Sequence, residues 1–261
     1  MPIEDIALLL LDHYQITISN QLLIQLQGNT VAVISCDEHH LPFGMMLPMY
    51  GHTQYSERIK HQLAVSEPLK KQLWKQTVIK KIENQKALLD LNKKVSQPLV
   101  EYILNVKSGD TTNREGMAAQ FYWKHLFENF SRQRFGDAPN NLLNFGYAVL
   151  RSIVARALVS SGLLPVLGIF HRNKYNPYCL ADDIMEPYRP FVDKLVYNYA
   201  VNRNNYELTK EAKAHILTIA TQDVFIGSFV RPLFVAVTTT TSSLYKCFTG
   251  EVRHIKYPKL N

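Results

Sequence analysis

The chain has 261 residues, 46% hydrophobic and 20% charged, with a formal charge of +7 and a pI near 9.2. Those values exclude a globally disordered chain and allow one large domain or two small ones with a real core. The basic excess fits an acidic partner, nucleic acid foremost, and fits a solvated lysine-rich surface equally well. Cys36, Cys179 and Cys247 are far apart and form no CxxC pair, which argues against a disulfide frame or structural zinc and fits a reducing cytosol. The start "MPIEDIALLLLDHYQ" lacks the basic leader and cleavage site of a signal peptide. No stretch reaches the ~18 uncharged apolar residues of a membrane span.

The first fifty residues predict three short strands, "DIALLLLD" (5–12), "YQITIS" (14–19) and "TVAVISCD" (30–37), from their β-branched and apolar runs. Between the last two, "NQLLIQLQGN" reads as a short helix closed by Gly28. The prolines and glycines of "LPFGMMLPMYGH" (41–52) mark a boundary. Helical spacing then takes over in "SERIKHQLAV" (56–65) and in 68–91, where Trp74, Val78 and Ile82 stand four apart and Pro68 suits a first turn. Residues 51–94 hold ten Lys or Arg against four acids, so this segment carries most of the net charge. "SGDTTN" (108–113) is a turn and cap before a helix from Arg114 to Phe130, and another helix runs from Asn140 to Gly162. Further helices are expected over 183–202 and 209–221, then a hairpin about Gly227 and a last helix through "LYKCF". The fold class is α+β: a small N-terminal β-strand domain (1–55) and a larger all-α domain (56–261). It has no glycine-rich phosphate loop and no G-x-S-x-G elbow.

Two groups of acids draw attention. Glu115 falls in the row Glu115, Ala119, Tyr122, Leu126, the apolar face of its own helix. It is either a buried carboxylate that needs a partner or a helix-start Glu that favours the macrodipole. Asp182, Asp183 and Glu186 crowd a helix start downstream of His171 in "GIFHRNKYNPYCLADDIMEPYRP". Asp183 and Glu186 have capping-box spacing, but a cap explains neither Asp182 nor His171. Three acids within five residues repel unless a cation sits among them, and Glu, His and Asp suit Mg²⁺ or Mn²⁺. Arg172 and Lys174, with Tyr175 and Tyr178 interleaved, make phosphodiester chemistry a fitting use for such an ion.

The segments "REGMAAQFYW", "NNLLNFGYAVLRSIVARAL" and "GLLPVLGIFHRNKYNPYCLADDIMEPYRPFVD" resemble the CRISPR-associated adaptation endonuclease/integrase family, the first-numbered Cas proteins, in the flavour of type II systems. The resemblance continues through "VAVISCDEHHLPFGMMLPMYG" and the tail "QDVFIGSFVRPLFVAV", and so spans nearly the whole chain. It implies that Glu115, His171 and Glu186 are catalytic and bind one Mg²⁺ or Mn²⁺, with Asp183 an auxiliary acid. It implies insertion of short double-stranded DNA with free 3′ ends into CRISPR repeat DNA by 3′-OH transesterification. The expected partners are a second copy of the chain, a dimer of the second-numbered Cas protein in a heterohexamer, and the type II effector nuclease, with no membrane and a prokaryotic cytoplasmic location. Arg58, Lys70, Lys71, Arg172 and Lys174 are the expected nucleic-acid contacts. Members of the family generally carry further strands before "PIEDIALLLLD", so the β unit is expected to be shortened at its start and to expose a sheet edge. The alternatives are a stand-alone nuclease on branched DNA and a catalytically silent DNA-binding scaffold.

Overall fold

The apolar run Leu8–Leu11 and the β-branched run Ala32–Cys36 form two of the expected strands. In the computed structural model, which describes residues 2–49, 51–133 and 136–261, β1 (Leu8–Leu11) pairs in parallel with β2 (Ala32–Cys36), Leu8 opposite Ala32. Parallel pairing needs a crossover, and α1 (Asn20–Gly28) supplies it, its N-terminus capped by Ser19 Oγ accepting from Leu22 N. The expected strand at 14–19 does not form. Those residues are the lead into the crossover, and Tyr14 is 86% exposed. Instead β3 (Pro42–Met46) pairs antiparallel with β2, where the punctuation suggests only a boundary. Pro42 opens this outer strand and the register shifts between Ser35 and Cys36, the positions at which a sheet tolerates proline. Tyr50, within the same expected boundary, lies outside the described residues. Alternation along β1 divides its side chains between two cores: Leu8 and Leu10 pack toward the helical body, Leu9 and Leu11 toward Leu26, Val31 and Val33. Its far edge has no strand partner among the described residues.

The body that follows is built from α2 (Tyr55–Leu63), α3 (Glu67–Leu91), α4 (Pro98–Leu104), α5 (Arg114–Leu126) and α6 (Asn140–Ser160). Helix α4 is an addition to the expected elements; Pro98 sits in its first turn, where a missing N–H is harmless. The single helix expected over 183–202 is two, α7 (Cys179–Met185) and α8 (Arg189–Arg203), joined by a 3-10 turn, Glu186–Tyr188. Pro187 forces that break, since its ring cannot follow the α-helical hydrogen-bond ladder. After α9 (Lys210–Leu217), the hairpin β4 (Asp223–Ile226) and β5 (Phe229–Pro232) turns at Gly227, φ +61°. Then α10 (Leu233–Phe248) returns into the core, and β6 (Pro258–Lys259) adds to β4, so the helical body carries a three-stranded sheet ordered β5-β4-β6.

Helix α6 is the axis of the core. It is long and apolar enough to cross a membrane, yet 78% of its most apolar window is buried by the rest of the chain. At Gly146 it meets α8 so closely that a Cβ would collide with Val192 Cγ1. A buried polar knot stands beside that contact. Asp193 of α8 accepts hydrogen bonds from Tyr122 Oη of α5 at 2.7 Å and from Tyr147 Oη of α6. Burial pushes the Asp193 carboxyl up to about 6, against the opposing pull of both hydroxyls and of Arg189. Removing Asp193 would strand two buried hydroxyls at about 1–3 kcal/mol each. Urea unfolding of Asp193→Ala is expected to show a loss of about 2–5 kcal/mol, with Asp193→Asn losing less; a loss below about 0.5 kcal/mol would show that the knot does not hold the three helices together.

Candidate active site

Glu115 is placed by the turn in front of it. Asp110 accepts from the backbone N–H of Arg114 at 2.8 Å and of Glu115 at 3.0 Å, and Asn113 Oδ1 accepts from Gly116 N. These caps satisfy the free N–H groups of the first turn of α5 and settle where Glu115 begins. The fully buried row is Ala118, Tyr122 and Leu126, so Ala118 takes the place expected of Ala119, and Glu115 heads that row. Its carboxylate turns inward: Oε1 lies 2.5 Å from Nζ of Lys81 in α3.

Lys81 belongs by sequence to the basic stretch 51–94, and its surroundings are the opposite of a solvated surface. Its side chain is 10% exposed, and Nζ lies 2.6 Å from Oε2 of Glu186, so one ammonium bridges carboxylates from two separate elements. Burial alone would discharge Lys81, but Glu186 and Glu115 outweigh it and hold the lysine pKa above its ordinary value. One turn along α3, Asn84 donates to the carbonyl of Pro187 at 2.7 Å. Lys81 and Asn84 thus grip the turn at Glu186 from one helix face. Glu186 Oε1 accepts from Arg189 Nε at 2.8 Å. Burial would push the Glu186 carboxyl up; Arg189 and Lys81 reverse that and hold it at about 2.

The capping-box reading of Asp183 and Glu186 is overturned. Helix α7 starts at Cys179 with no side-chain cap, and Asp183 lies inside it, fully buried. Asp183 Oδ2 accepts from the backbone N–H of Ile169 and Phe170, at 2.7 and 3.0 Å. Its Oδ1 accepts from His171 N and bonds His171 Nδ1 at 2.6 Å. Asp183 therefore folds the loop that carries His171. Gly168 allows the approach: a Cβ there would collide with His171 O and stand 2.9 Å from Asp183 Oδ2. Asp182 points elsewhere and accepts from Arg151 Nε and Asn176 Nδ2. The three acids thus escape mutual repulsion by diverging to separate donors, without one shared cation.

Two clusters emerge side by side, Glu115–Lys81–Glu186–Arg189 and Asp183–His171. They are near enough that the charge of Glu186 acts on His171. The Asp183 hydrogen bond raises the His171 pKa, against partial burial. Trp74 of α3 braces the loop, its ring stacked on Phe170 at 4.1 Å and edge-on to His171 at 5.8 Å. Among the described residues, no three His, Cys, Asp or Glu side chains converge tightly enough to hold a metal as they stand. The donors nevertheless fit one. Glu186 Oε2 is buried and its contact with Lys81 is too poorly angled for a hydrogen bond, and with Nδ1 held by Asp183, His171 has Nε2 as its remaining ligating atom.

The expected nucleic-acid contacts separate into two places. Arg172 and Lys70 both pair with Glu67, which joins the His171 loop to the start of α3; Lys174 lies over the Tyr175 ring at 4.8 Å. Arg172, Lys174 and the 81%-exposed Tyr175 form an open basic and aromatic rim beside the clusters. Lys71 is exposed on α3 and packs near Gly109. Arg58 stands apart, donating to Ser161 O at the end of α6 and lying 4.0 Å from the Tyr245 ring centroid. Elsewhere the lysine excess is partly paired along the helix, Lys80 with Glu83 and Lys86 with Asp90. Reasoning from sequence misses Lys81, Asn84, Phe170 and Arg189. Their one signal is Lys81 seven residues after Trp74, on the buried row of α3.

Comparison with known proteins bears on the family and the fold. The family described as CRISPR associated protein Cas1 matches residues 1–231. A CRISPR-associated endonuclease Cas1 of Neisseria meningitidis serogroup C (strain 8013) is 37% identical over 265 aligned residues, covering 100% of this chain and 87% of that protein. Among solved structures, a casposase bound to integration product superposes with a TM-score of 0.81 at 20% identity, over 96% of this chain and 80% of that one. A Cas6-RT-Cas1–Cas2 complex contributes a match with a TM-score of 0.73 at 19% identity, over 97% of this chain and 32% of that one. Structural likeness at such identities shows the fold.

The Asp183–His171 bond has a consequence for pH. A histidine pKa raised above its unfolded value of about 6.5 adds stability that is present below that pH and is lost as pH rises through the folded value. The side chain is 42% exposed, so solvent screening keeps the contribution small. In the metal-free protein, NMR of the imidazole is expected to show His171 titrating above about 6.5, and Asp183→Asn should lower that midpoint. An unshifted midpoint in the parent would contradict the charged pair.

Proposed function

The chain belongs to the CRISPR associated protein Cas1 family, and from that premise we propose that it is a DNA endonuclease and integrase of spacer acquisition. The observation that carries the reading is the convergence of Glu115 and Glu186, from separate elements, on one cation beside His171. One divalent ion, Mg²⁺ or Mn²⁺, held by Glu115, Glu186 and His171 Nε2, would supply Lewis-acid stabilisation of charge on a phosphate. Asp183 sets the imidazole tautomer by holding Nδ1, which leaves Nε2 to ligate or to carry a proton at the reacting phosphate. The reaction is a transesterification. A 3′-hydroxyl of the captured duplex attacks a phosphodiester of the repeat, its oxygen–phosphorus bond forms, the bond to the repeat's own 3′-oxygen breaks, and the proton passes to the leaving oxygen. Bond number is conserved, so no nucleotide is consumed.

Arg172, Lys174, Lys70 and Lys71 are proposed to meet phosphates, a reading supported by the exposure of Arg172, Lys174 and Lys71 and by the pairing of Arg172 and Lys70 with the same Glu67, and it implies steep salt dependence. Arg58, committed to Ser161 O and Tyr245, serves this role least. A DNA partner is supported by the likeness to a casposase bound to integration product, and the second-numbered Cas partner by the likeness to a Cas6-RT-Cas1–Cas2 complex. Residues 1–55 are proposed to carry dimerisation and partner contacts, and 56–261 the chemistry, in a prokaryotic cytoplasm. Strand joining on a labelled branched DNA is expected with Mn²⁺ and not with EDTA. His171→Ala and Glu115→Gln should each reduce it by about 100-fold or more. A His171→Ala protein as active as the parent would overturn the assignment of the chemistry to these residues, whereas no joining by the parent under any condition would leave a DNA-binding scaffold.

A further inference from the structure

Lys81 has a role that helix packing does not explain. The backbone at Glu115 is already set by the Asp110 and Asn113 caps. The turn at Glu186 is already held by Asn84 on the Pro187 carbonyl and by Arg189 on Glu186 Oε1. What Lys81 alone supplies is positive charge between the two carboxylates. Its Nζ is 2.5 Å from Glu115 Oε1 and 2.6 Å from Glu186 Oε2, so those oxygens lie no more than about 5 Å apart. A small closing movement would let a single hard ion, with bonds of about 2.0–2.1 Å, bridge the same two atoms.

Resting on the metal reading above, we infer that Lys81 is the resident cation of the metal-free site, and that a divalent ion enters by exchange, displacing the ammonium from between Glu115 and Glu186. An ammonium and a divalent ion cannot both occupy the space between two oxygens this close, because their like charges would meet in a buried setting. Lysine suits the exchange: its compact charge rides on a flexible four-carbon stem that can withdraw, whereas the planar fork of Arg189 stays with Glu186. The arrangement keeps the buried Glu186 and the half-buried Glu115 neutralised when no metal is present, and it lowers divalent affinity by the work of moving Lys81 aside. Site loading is thereby made responsive to metal concentration.

The test is equilibrium Mn²⁺ binding to the full chain, followed by electron paramagnetic resonance of free Mn²⁺, for the parent, Lys81→Gln and His171→Ala. Lys81→Gln is expected to bind Mn²⁺ about tenfold or more tightly than the parent. Its metal-free form should melt lower than the parent, and saturating Mn²⁺ should recover most of the difference. His171→Ala is expected to bind more weakly. If His171→Ala weakens binding while Lys81→Gln leaves it unchanged or weaker, the exchange is refuted and the metal site stands. If the parent binds no Mn²⁺, or His171→Ala binds as well as the parent, the metal reading fails and the exchange falls with it. A measurement on the parent protein covers a Lys81→Gln variant that does not fold. With ¹⁵N-labelled lysine, the slowly exchanging Lys81 ammonium signal, assigned from its absence in Lys81→Arg, should shift or vanish at saturating Mg²⁺. A signal unchanged by Mg²⁺ overturns the inference.

Discussion

The ion pairing of Lys81 with Glu115 and Glu186 is the constraint around which the helical body is arranged. Lys81 and Glu186 are buried and Glu115 is half-buried beside them, and either buried charge alone would cost on the order of several kcal/mol to remove from water. They are tolerable only as a set, so α3, α5 and the turn after α7 must meet at one point. That requirement explains the supports nearby: the caps on α5, the Asn84 hold on Pro187 and the Arg189 contact with Glu186. It also explains why α3, a long and mostly apolar-cored helix, carries a lysine on its buried row.

The second organising interaction is the capture of a loop by one carboxylate. Asp183 accepts four hydrogen bonds from three consecutive residues, Ile169, Phe170 and His171. A carboxylate this well satisfied turns a flexible loop into a rigid mount for an imidazole, at a place where Gly168 leaves no side chain in the way. The aromatic stack of Trp74 and Phe170 completes the mount from the α3 side. Lys81 and Trp74 belong to the same helix, so one element positions both the carboxylate cluster and the histidine loop. A site assembled from α3, α5, the His171 loop and the turn at Glu186 inherits its precision from their shared core, and the exposed rim of Arg172, Lys174 and Tyr175 remains outside that rigid part.

Much was legible in the sequence because periodicity and punctuation are local. Leu8–Leu11 and Ala32–Cys36 announce strands, the helical spacing of 68–91 and 140–160 announces long helices, and Gly227 announces its hairpin. The acids Glu115, Asp183 and Glu186 and the histidine His171 were marked out by motif and by their odd placement, and the family membership they implied is matched over most of the chain. Tertiary structure alone decided the rest. Pro42–Met46 became a strand because β2 offered it an edge, and residues 14–19 did not because the crossover claimed them. The grouping of Asp182, Asp183 and Glu186 looked like one cluster because they are neighbours in sequence. Burial and hydrogen-bond geometry sent them to three different partners, and brought to Glu186 a lysine more than a hundred residues away. Sequence states which charges exist; only the packed core decides which of them must neutralise one another.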